Sequence, residues 1–181
     1  MEFTYGTPKK LQDGRYYVKV SQCMIQLNKV KLLTKFDESG DVTLELKTQS
    51  HDKILEVDSQ IIAASKVNSQ AWFGKVLADQ TLEAAYTKSI QGLTMNTSKA
   101  KLTKIFAHDK TPVEPGCVES GVTCDIMLEL AGIWFLKKTF GPIWRIVQVR
   151  LLAPPKKLYS DEYLFQDDEP DAEADADDDY I

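Results

Sequence analysis

The sequence is poor in the residues that most often carry catalysis or hold metals. Its 181 residues include only three cysteines and two histidines. Cys23, Cys117 and Cys124 form an odd set with no Cys-x-x-Cys pair, which points to free thiols in a reducing compartment and argues against a disulfide framework. His51 and His108 lie far apart and match no metal-ligand spacing. A Gly-x-Ser-x-Gly turn, a phosphate-binding glycine loop before a helix and a paired His/Cys set are all missing. No catalytic centre and no cofactor are expected, and an enzyme would need a metal site assembled from scattered acids. No apolar run approaches ~18 residues, and the N-terminus lacks a basic-then-apolar leader, so neither a membrane span nor a secretory signal is expected. An intracellular setting follows, a nucleus or a cytoplasmic factory. No repeat period of 20 to 50 residues is present.

What is present is charge of both signs, kept apart. The formal net charge is −5, yet residues 161 to 181 hold eleven acids and no Lys or Arg, leaving residues 1 to 160 at +6 and the last segment at −11. A basic body beside an acidic tail is a functional arrangement. Beyond Tyr159 the chain has too few apolar residues to fold and repels itself, so residues 158–181 read as a disordered tail. The 43% hydrophobic content suits one domain with a real core, placed at 15–157 behind an N-terminal lead-in at 1–14 broken by Gly6, Pro8 and Gly14.

The most informative stretch is GIWFLKKTFGPIWRIVQVRLL, Gly132 to Leu152. Two runs rich in aromatic and β-branched residues flank a short basic loop, the pattern of a long hairpin. Phe135, Phe140 and Trp144 lie among Lys137, Lys138, Arg145 and Arg150. Rings that stack on bases beside cations that meet phosphates are what a single-stranded nucleic-acid groove needs. The competing explanation is a core hairpin with buried rings and solvated cations, and the hairpin alone favours that one. Continuing the alternation of Ile126, Leu128 and Leu130 buries Trp134 and turns Phe135 outward. On the return strand Val147, Val149 and Leu151 read as buried. Trp144, Gln148 and Arg150 then share the other face, with Trp144 and Arg150 as a stacking-and-phosphate pair.

Upstream, Arg15 to Val20 alternates, with Tyr16, Val18 and Val20 on one face and Arg15, Tyr17 and Lys19 on the other. That second face is either a solvated strand face or part of a binding surface. Alternation slips near Asn28 to Val30, as a β-bulge requires. Asp37 to Asp41 reads as a turn, and Val42 to Lys47 as a half-buried strand. Ile54 to Val57 and Gln60 to Lys66 suggest two further short strands. Helix is expected only after Asn68. A short turn carries Trp72 and Phe73, which read as a plug docking the helical insertion. A helix capped by Asp79 then runs through Leu82, Ala85, Tyr86 and Ile90 to Gly92. Strand resumes over Lys99 to Ala107, with Lys99, Lys101 and Lys104 prominent. Many short strands with one intervening helix predict a mainly β protein, an antiparallel oligonucleotide-binding barrel with a helical insertion.

The segment AWFGKVLADQTLEAAY (Ala71 to Tyr86), the later GIWFLKKTFGPIWRIVQVRL and an acidic tail with an aromatic near its end resemble a viral family. The chain is similar to the single-stranded DNA-binding proteins of the large nucleocytoplasmic DNA viruses of eukaryotes, which share a plan with those of podovirus-type phages. The likeness spans most of residues 10–181. It rests on Trp72 to Lys75, Gly132 to Phe135, Phe140-Gly141, Trp144 and Gln148. It implies an oligonucleotide-binding barrel, sequence-independent single-strand binding, and roles in replication, recombination and repair. It raises the binding explanation of the hairpin to parity with the core explanation. The charge segregation, supported by the resemblance, leads to the expectation that the tail, ending Asp177, Asp178, Asp179, Tyr180 and Ile181, competes with DNA and docks polymerase, primase or helicase partners; a homo-oligomer is compatible with it. The phage proteins end on Phe where this chain ends Tyr180-Ile181, so the docking pocket would differ. The rival expectation is a β-sandwich chaperone whose acidic tail binds histones, which leaves the basic body unexplained.

Overall fold

Alternating apolar residues build strands wherever the sequence sustains them. In the computed structural model, which describes residues 2–21, 23–36, 40–153 and 165 (the side chains of 100 and 101 excepted), nine strands join one sheet. Chain order is β1 (Thr4–Tyr5), β2 (Lys9–Lys10), β3 (Tyr16–Ser21), β4 (Met24–Leu32) and β5 (Asp41–Glu45). Helices α1 (Thr48–Val67), α2 (Ser69–Phe73) and α3 (Asp79–Ala85) follow, then β6 (Ile90–Gln91), β7 (Thr94–Phe106), β8 (Thr123–Phe135) and β9 (Phe140–Leu151).

The protein is mainly β, as its composition of alternating segments suggests, but the sheet is mixed. β4 pairs antiparallel with β5 and β8, β5 with β7, and β8 with β9, while β7 and β9 run parallel. These pairings return on themselves through β4, β5, β7, β9 and β8. The seam between β4 and β5 is short, with only Lys31↔Glu45 and Leu32↔Leu44 in register. The bulge expected near Asn28 is present: the β4–β8 register shifts between Leu27 and Val30, and Lys29 takes a positive φ of 53°. Inside lie Leu27, Val30, Leu32, Leu44, Ile126, Leu128 and Ile146, all essentially without solvent contact.

Three expectations are corrected. The strands expected at Ile54 to Val57 and Gln60 to Lys66 are one helix, α1. Its buried positions are Ser50, Ile54, Val57, Asp58, Ile61 and Ser65, a helical period in which three members are polar, so an apolar pattern alone reads it as broken strand. The helix placed from Asp79 to Gly92 ends at Ala85. Tyr86 instead bridges Phe140, Ile90 enters β6, and Gly92 takes a positive φ of 64° in the turn to β7. The lead-in at 1–14 contains β1 and β2, both paired with β3, held also by Gly6 N–H donating to the Lys19 carbonyl at 2.8 Å. The turn expected over Asp37 to Asp41 and the tail at 158–181 lie largely or wholly outside the described residues.

Trp72 is buried as a plug. Its ring meets Tyr5 at 5.3 Å and Phe135 at 5.7 Å edge-on, and Phe73 meets Phe135 and Phe140 at 5.4 and 5.3 Å. Edge-to-face geometry places positive ring edges on negative faces. A buried polar knot ties α1 to the sheet. The Asp58 carboxylate accepts from the Tyr86 hydroxyl (2.7 Å), the Ser89 hydroxyl and the Ser89 N–H (3.0 Å), and Ser89 Oγ accepts from Trp144 Nε1 at 2.8 Å. Among the described residues the three cysteines are free, Cys23 and Cys124 buried and Cys117 exposed.

Burial pushes the Cys23 thiol up to about 11, and the Cys124 thiol and Tyr5 phenol up to about 12. Tyr86 is raised further by burial and by neighbouring Asp58. These acids hold their protons longer folded than unfolded, so the stability they confer is complete below about pH 7.5, a unit under the ordinary thiol value of ~8.5, and is lost as pH climbs toward the folded values. Urea melts under reducing conditions should show a midpoint that begins to fall near pH 8 and falls more steeply from pH 9 to 11. A midpoint that holds across that alkaline range would contradict the assigned burial.

Candidate nucleic-acid interface

β8 carries the candidate surface because its outer face is contiguous with three neighbouring strands. Register sets the rows. Tyr17, Trp134 and Gly141 lie side by side across β3, β8 and β9. Next come Lys19, Gly132 and Ile143, and then Met24, Glu129 and Arg145 with Ser98 of β7. Gln26, Met127, Gln148 and Lys104 form a further row.

Which side chains face outward is decided by two single-residue bulges. The β8–β9 register skips Ala131 on β8 and Val147 on β9, and an extra residue in a strand with period two moves every later side chain to the opposite face. Ile126, Leu128 and Leu130 are buried, and after the bulge Ile133 and Phe135 are buried instead. Phe135 therefore points inward, Trp134 is the half-exposed ring, and the expected assignment of the two is reversed. Phe140 is likewise wholly buried, stacked on Phe135 at 5.8 Å.

The same slip on β9 overturns the proposed Trp144–Arg150 pair. Trp144 is 3% exposed and turned inward onto Ser89, in a run with Ile146 and, beyond the bulge, Val149. Arg150 does face outward, but it is bound to Asp125, whose carboxylate takes its Nε at 3.2 Å and its Nη2 while the other oxygen accepts the Lys29 N–H at 2.9 Å.

The two outward rings each rest on a glycine. Tyr17 lies across Gly132, where any Cβ would overlap the ring and stand 2.6 Å from the Val18 carbonyl oxygen. Trp134 lies across Gly141, where a Cβ would meet ring atoms at 3.0 and 3.1 Å and Thr87 Cβ at 3.2 Å. The Tyr17 hydroxyl donates to the Ala131 carbonyl at 2.7 Å and fixes its ring flat. Burial raises the Tyr17 phenol above its ordinary value, with Glu129 adding to the shift and Arg145 opposing it, so the phenol keeps the proton it donates. The result is a pair of fixed rings, each open on one side. A cleft of about 160 Å³ opens beside Trp134, lined by Thr87, Lys88, Asn96 and Pro142 among others.

The other sequence candidates divide. Lys19 and Arg145 are exposed within one or two rows of the rings, and Lys137 and Lys138 are exposed on the hairpin tip just beyond them. Lys104 is exposed on the same face farther along. Arg15 is exposed but bridged to Asp13, and Lys99 sits over the Phe36 ring at 5.8 Å, away from the platform. The Lys101 side chain and Asp177, Asp178, Asp179, Tyr180 and Ile181 lie outside the described residues. Sequence reasoning missed Trp134, Gly132 and Gly141 as a set. The available signal was glycine inside two long strands, which marks close approach by another group.

Gly132→Ala should displace the Tyr17 ring and spread β3 from β8, costing ~1–3 kcal/mol of stability. Gly116→Ala, on the surface with nothing near its Cβ and no positive φ, should leave the Tyr17 ring undisturbed. Tyr17 ring resonances by NMR report the difference, and unchanged resonances in Gly132→Ala would refute the ring's placement.

No curated protein matches this chain in sequence. The chain is similar in structure to the single-stranded DNA-binding protein from bacteriophage Enc34 solved in complex with ssDNA, at 13% identity and TM-score 0.51, over 86% of this chain and 99% of that one. The C-terminally truncated form of the phage protein aligns at 12% identity and TM-score 0.52, over 87% and 98% of the two chains. At these identities the likeness establishes a shared fold. A family model described as a family of unknown function, DUF5871, matches residues 28–167, most of the chain, from within β4 through β9, and the chain belongs to that family.

Proposed function

We propose that the protein binds single-stranded DNA without strong sequence preference across the outer face of β3, β8 and β9. The observation that carries this reading is the pair of glycine-seated rings, Tyr17 and Trp134, set among Lys19, Arg145, Lys137 and Lys138. Stacking on a ring is available to every base, and lysine and arginine meet the phosphates whatever the sequence. Support comes also from the shared fold with a phage protein whose structure holds ssDNA. The five-strand circuit is read as an oligonucleotide-binding barrel, thin at the β4–β5 seam, with the binding domain at 15–157 extended by the paired N-terminal strands. A role in viral replication, recombination and repair, of the kind implied by the resemblance to large nucleocytoplasmic DNA virus proteins, belongs to the same proposal, as does an intracellular location.

Titration with an unlabelled oligothymidylate should quench tryptophan emission, and the affinity should fall with salt. With about four to six phosphates contacted, the log–log slope should be near −3 to −4. Trp134→Ala or Tyr17→Ala should cost roughly 1–3 kcal/mol of binding in a protein that still folds and melts cooperatively. Trp144→Ala should instead destabilise the fold by ~3–5 kcal/mol. A duplex of equal length that binds as tightly as the strand would overturn the reading.

The acidic tail belongs to the proposal as an internal competitor. Its eleven acids over residues 161–181 imitate the charge of a single strand, and a flexible tether gives an effective concentration on the order of mM. DNA would displace it and free Tyr180 and Ile181 for replication partners. Truncation after Tyr159 should therefore raise DNA affinity at low salt, with a gain that shrinks as salt screens the attraction. Equal affinities at low salt would leave the tail as a docking peptide alone.

A further inference from the structure

The outer face holds a second feature beyond the two rings. At the opposite end of β8 and β9 a cavity of about 330 Å³ opens among Gln26, Met127, Gln148, Phe106 and Arg150. Met127 forms its floor between the two glutamines, which are its direct partners in register on β4 and β9. Phe106, paired with Arg150 across the parallel β7–β9 ladder, stands at one side. The turn after Phe106 closes round it, with Lys110 at a positive φ of 70° and its N–H donating to the Ala107 carbonyl at 3.0 Å.

The polar groups at the rim are held in fixed positions or left unused. Asp125 engages Nε and Nη2 of Arg150 and so sets the plane of a guanidinium that has further N–H donors to offer. Gln26 donates through Nε2 to Asn28 Oδ1 at 2.8 Å, and its side-chain oxygen has no donor among the described residues. The Gln148 amide is exposed on the same row and makes no hydrogen bond to another side chain among the described residues. An apolar floor, an aromatic side and a few converging polar groups are the makeup of a small-ligand site. A planar ring with apolar faces and a hydrogen-bonding edge fits it. A glutamine amide is the side chain that pairs bidentately with adenine, answering its N6 and N7.

We propose that this cavity takes one splayed-out nucleobase of the bound strand, adenine in preference to the others, an inference that rests on the single-strand reading above. Met127 and Trp134 are seven residues apart on one strand, a separation of ~23 Å, and Arg145 lies between their rows. A strand stacked on Tyr17 and Trp134 would pass Arg145 and reach the cavity several nucleotides on. The protein would then be sequence-tolerant at the rings and selective at one position.

The test uses the full chain and octathymidylates in which a single adenine is walked through every position, read by tryptophan quenching. One register should bind roughly tenfold more tightly than the plain octathymidylate, the size of a lost or gained base contact. Gln148→Leu and Phe106→Leu should each abolish that preference while the plain octathymidylate still quenches Trp134. A flat profile in the parent, or a preference that survives both substitutions, would overturn the cavity assignment and leave strand binding intact. No quenching by any strand would overturn the function and the cavity together. Deoxyadenosine monophosphate competing as well as the strand would overturn the assignment to a strand and give the cavity to a free nucleotide.

Discussion

Everything on the outer face depends on how β8 is hydrogen-bonded. Its first half pairs with β4 and its second half with β3 on one edge, while β9 runs along the other edge for its full length. β8 thus serves β4 at one end and the N-terminal extension at the other. The bulge at Ala131 falls at that handover, between the last β4 partner, Glu129, and the first β3 partner, Gly132. A bulge bends a strand and increases its twist. Here it also exchanges the inner and outer faces, and that exchange puts Trp134 outside and Phe135 into the aromatic cluster around Trp72. The site and the plug under it are two consequences of one extra residue.

That residue also explains where the sequence could be read and where it could not. Alternation was sound wherever a strand kept one register. Tyr17 and Lys19 share the exposed face of β3, and the break at Asn28 to Val30 is a true bulge, visible because Leu27 and Val30 fall on different parities. At Ala131 the run Leu130 to Phe135 is apolar throughout, so no polar residue beyond the bulge marks the change of parity and the alternation can be continued through it unnoticed. On β9 the change of parity is marked, since the exposed Arg145 and Gln148 fall on different parities on either side of Ile146-Val147. Helix α1 was lost for the opposite reason. Ser50, Asp58 and Ser65 are buried because a polar knot and local carbonyls satisfy them, with Ser65 donating to the Ile62 carbonyl at 2.7 Å. Burial of satisfied polar groups is invisible to a hydrophobic pattern.

Glycine at 132 and 141 has to be explained by its neighbours, since neither residue takes a positive φ. A strand glycine weakens a sheet, since it adds backbone entropy and leaves a gap in the side-chain layer. In this protein each gap is covered by a ring from the next strand, so the sheet recovers contact area and the ring loses its freedom to rotate. The cost in strand propensity and the gain in ring order are two sides of one arrangement. The Tyr17 hydroxyl bond to Ala131 strengthens it, because it ties the ring to the carbonyl of the bulged residue itself.

Rigidity of that kind bears on how a sequence-tolerant binder gains affinity. A mobile ring must be immobilised when a base stacks on it, at about 0.5–1.5 kcal/mol for each ordered side chain. Tyr17 and Trp134 are already flat and fixed, so a stacked base keeps nearly all of its contact energy. The cations around them are different in character. Lys19, Lys137 and Lys138 stand exposed on flexible stems, and a lysine ammonium accepts phosphate from many directions. Fixed rings give each base the same surface, and mobile ammonium groups follow whatever backbone path the strand takes. Arg150 departs from this pattern, because Asp125 holds its guanidinium in one plane. Orientation of that sort suits recognition of one partner geometry, and it occurs at the end of the face where Gln26 and Gln148 also converge, away from the rings where tolerance is needed.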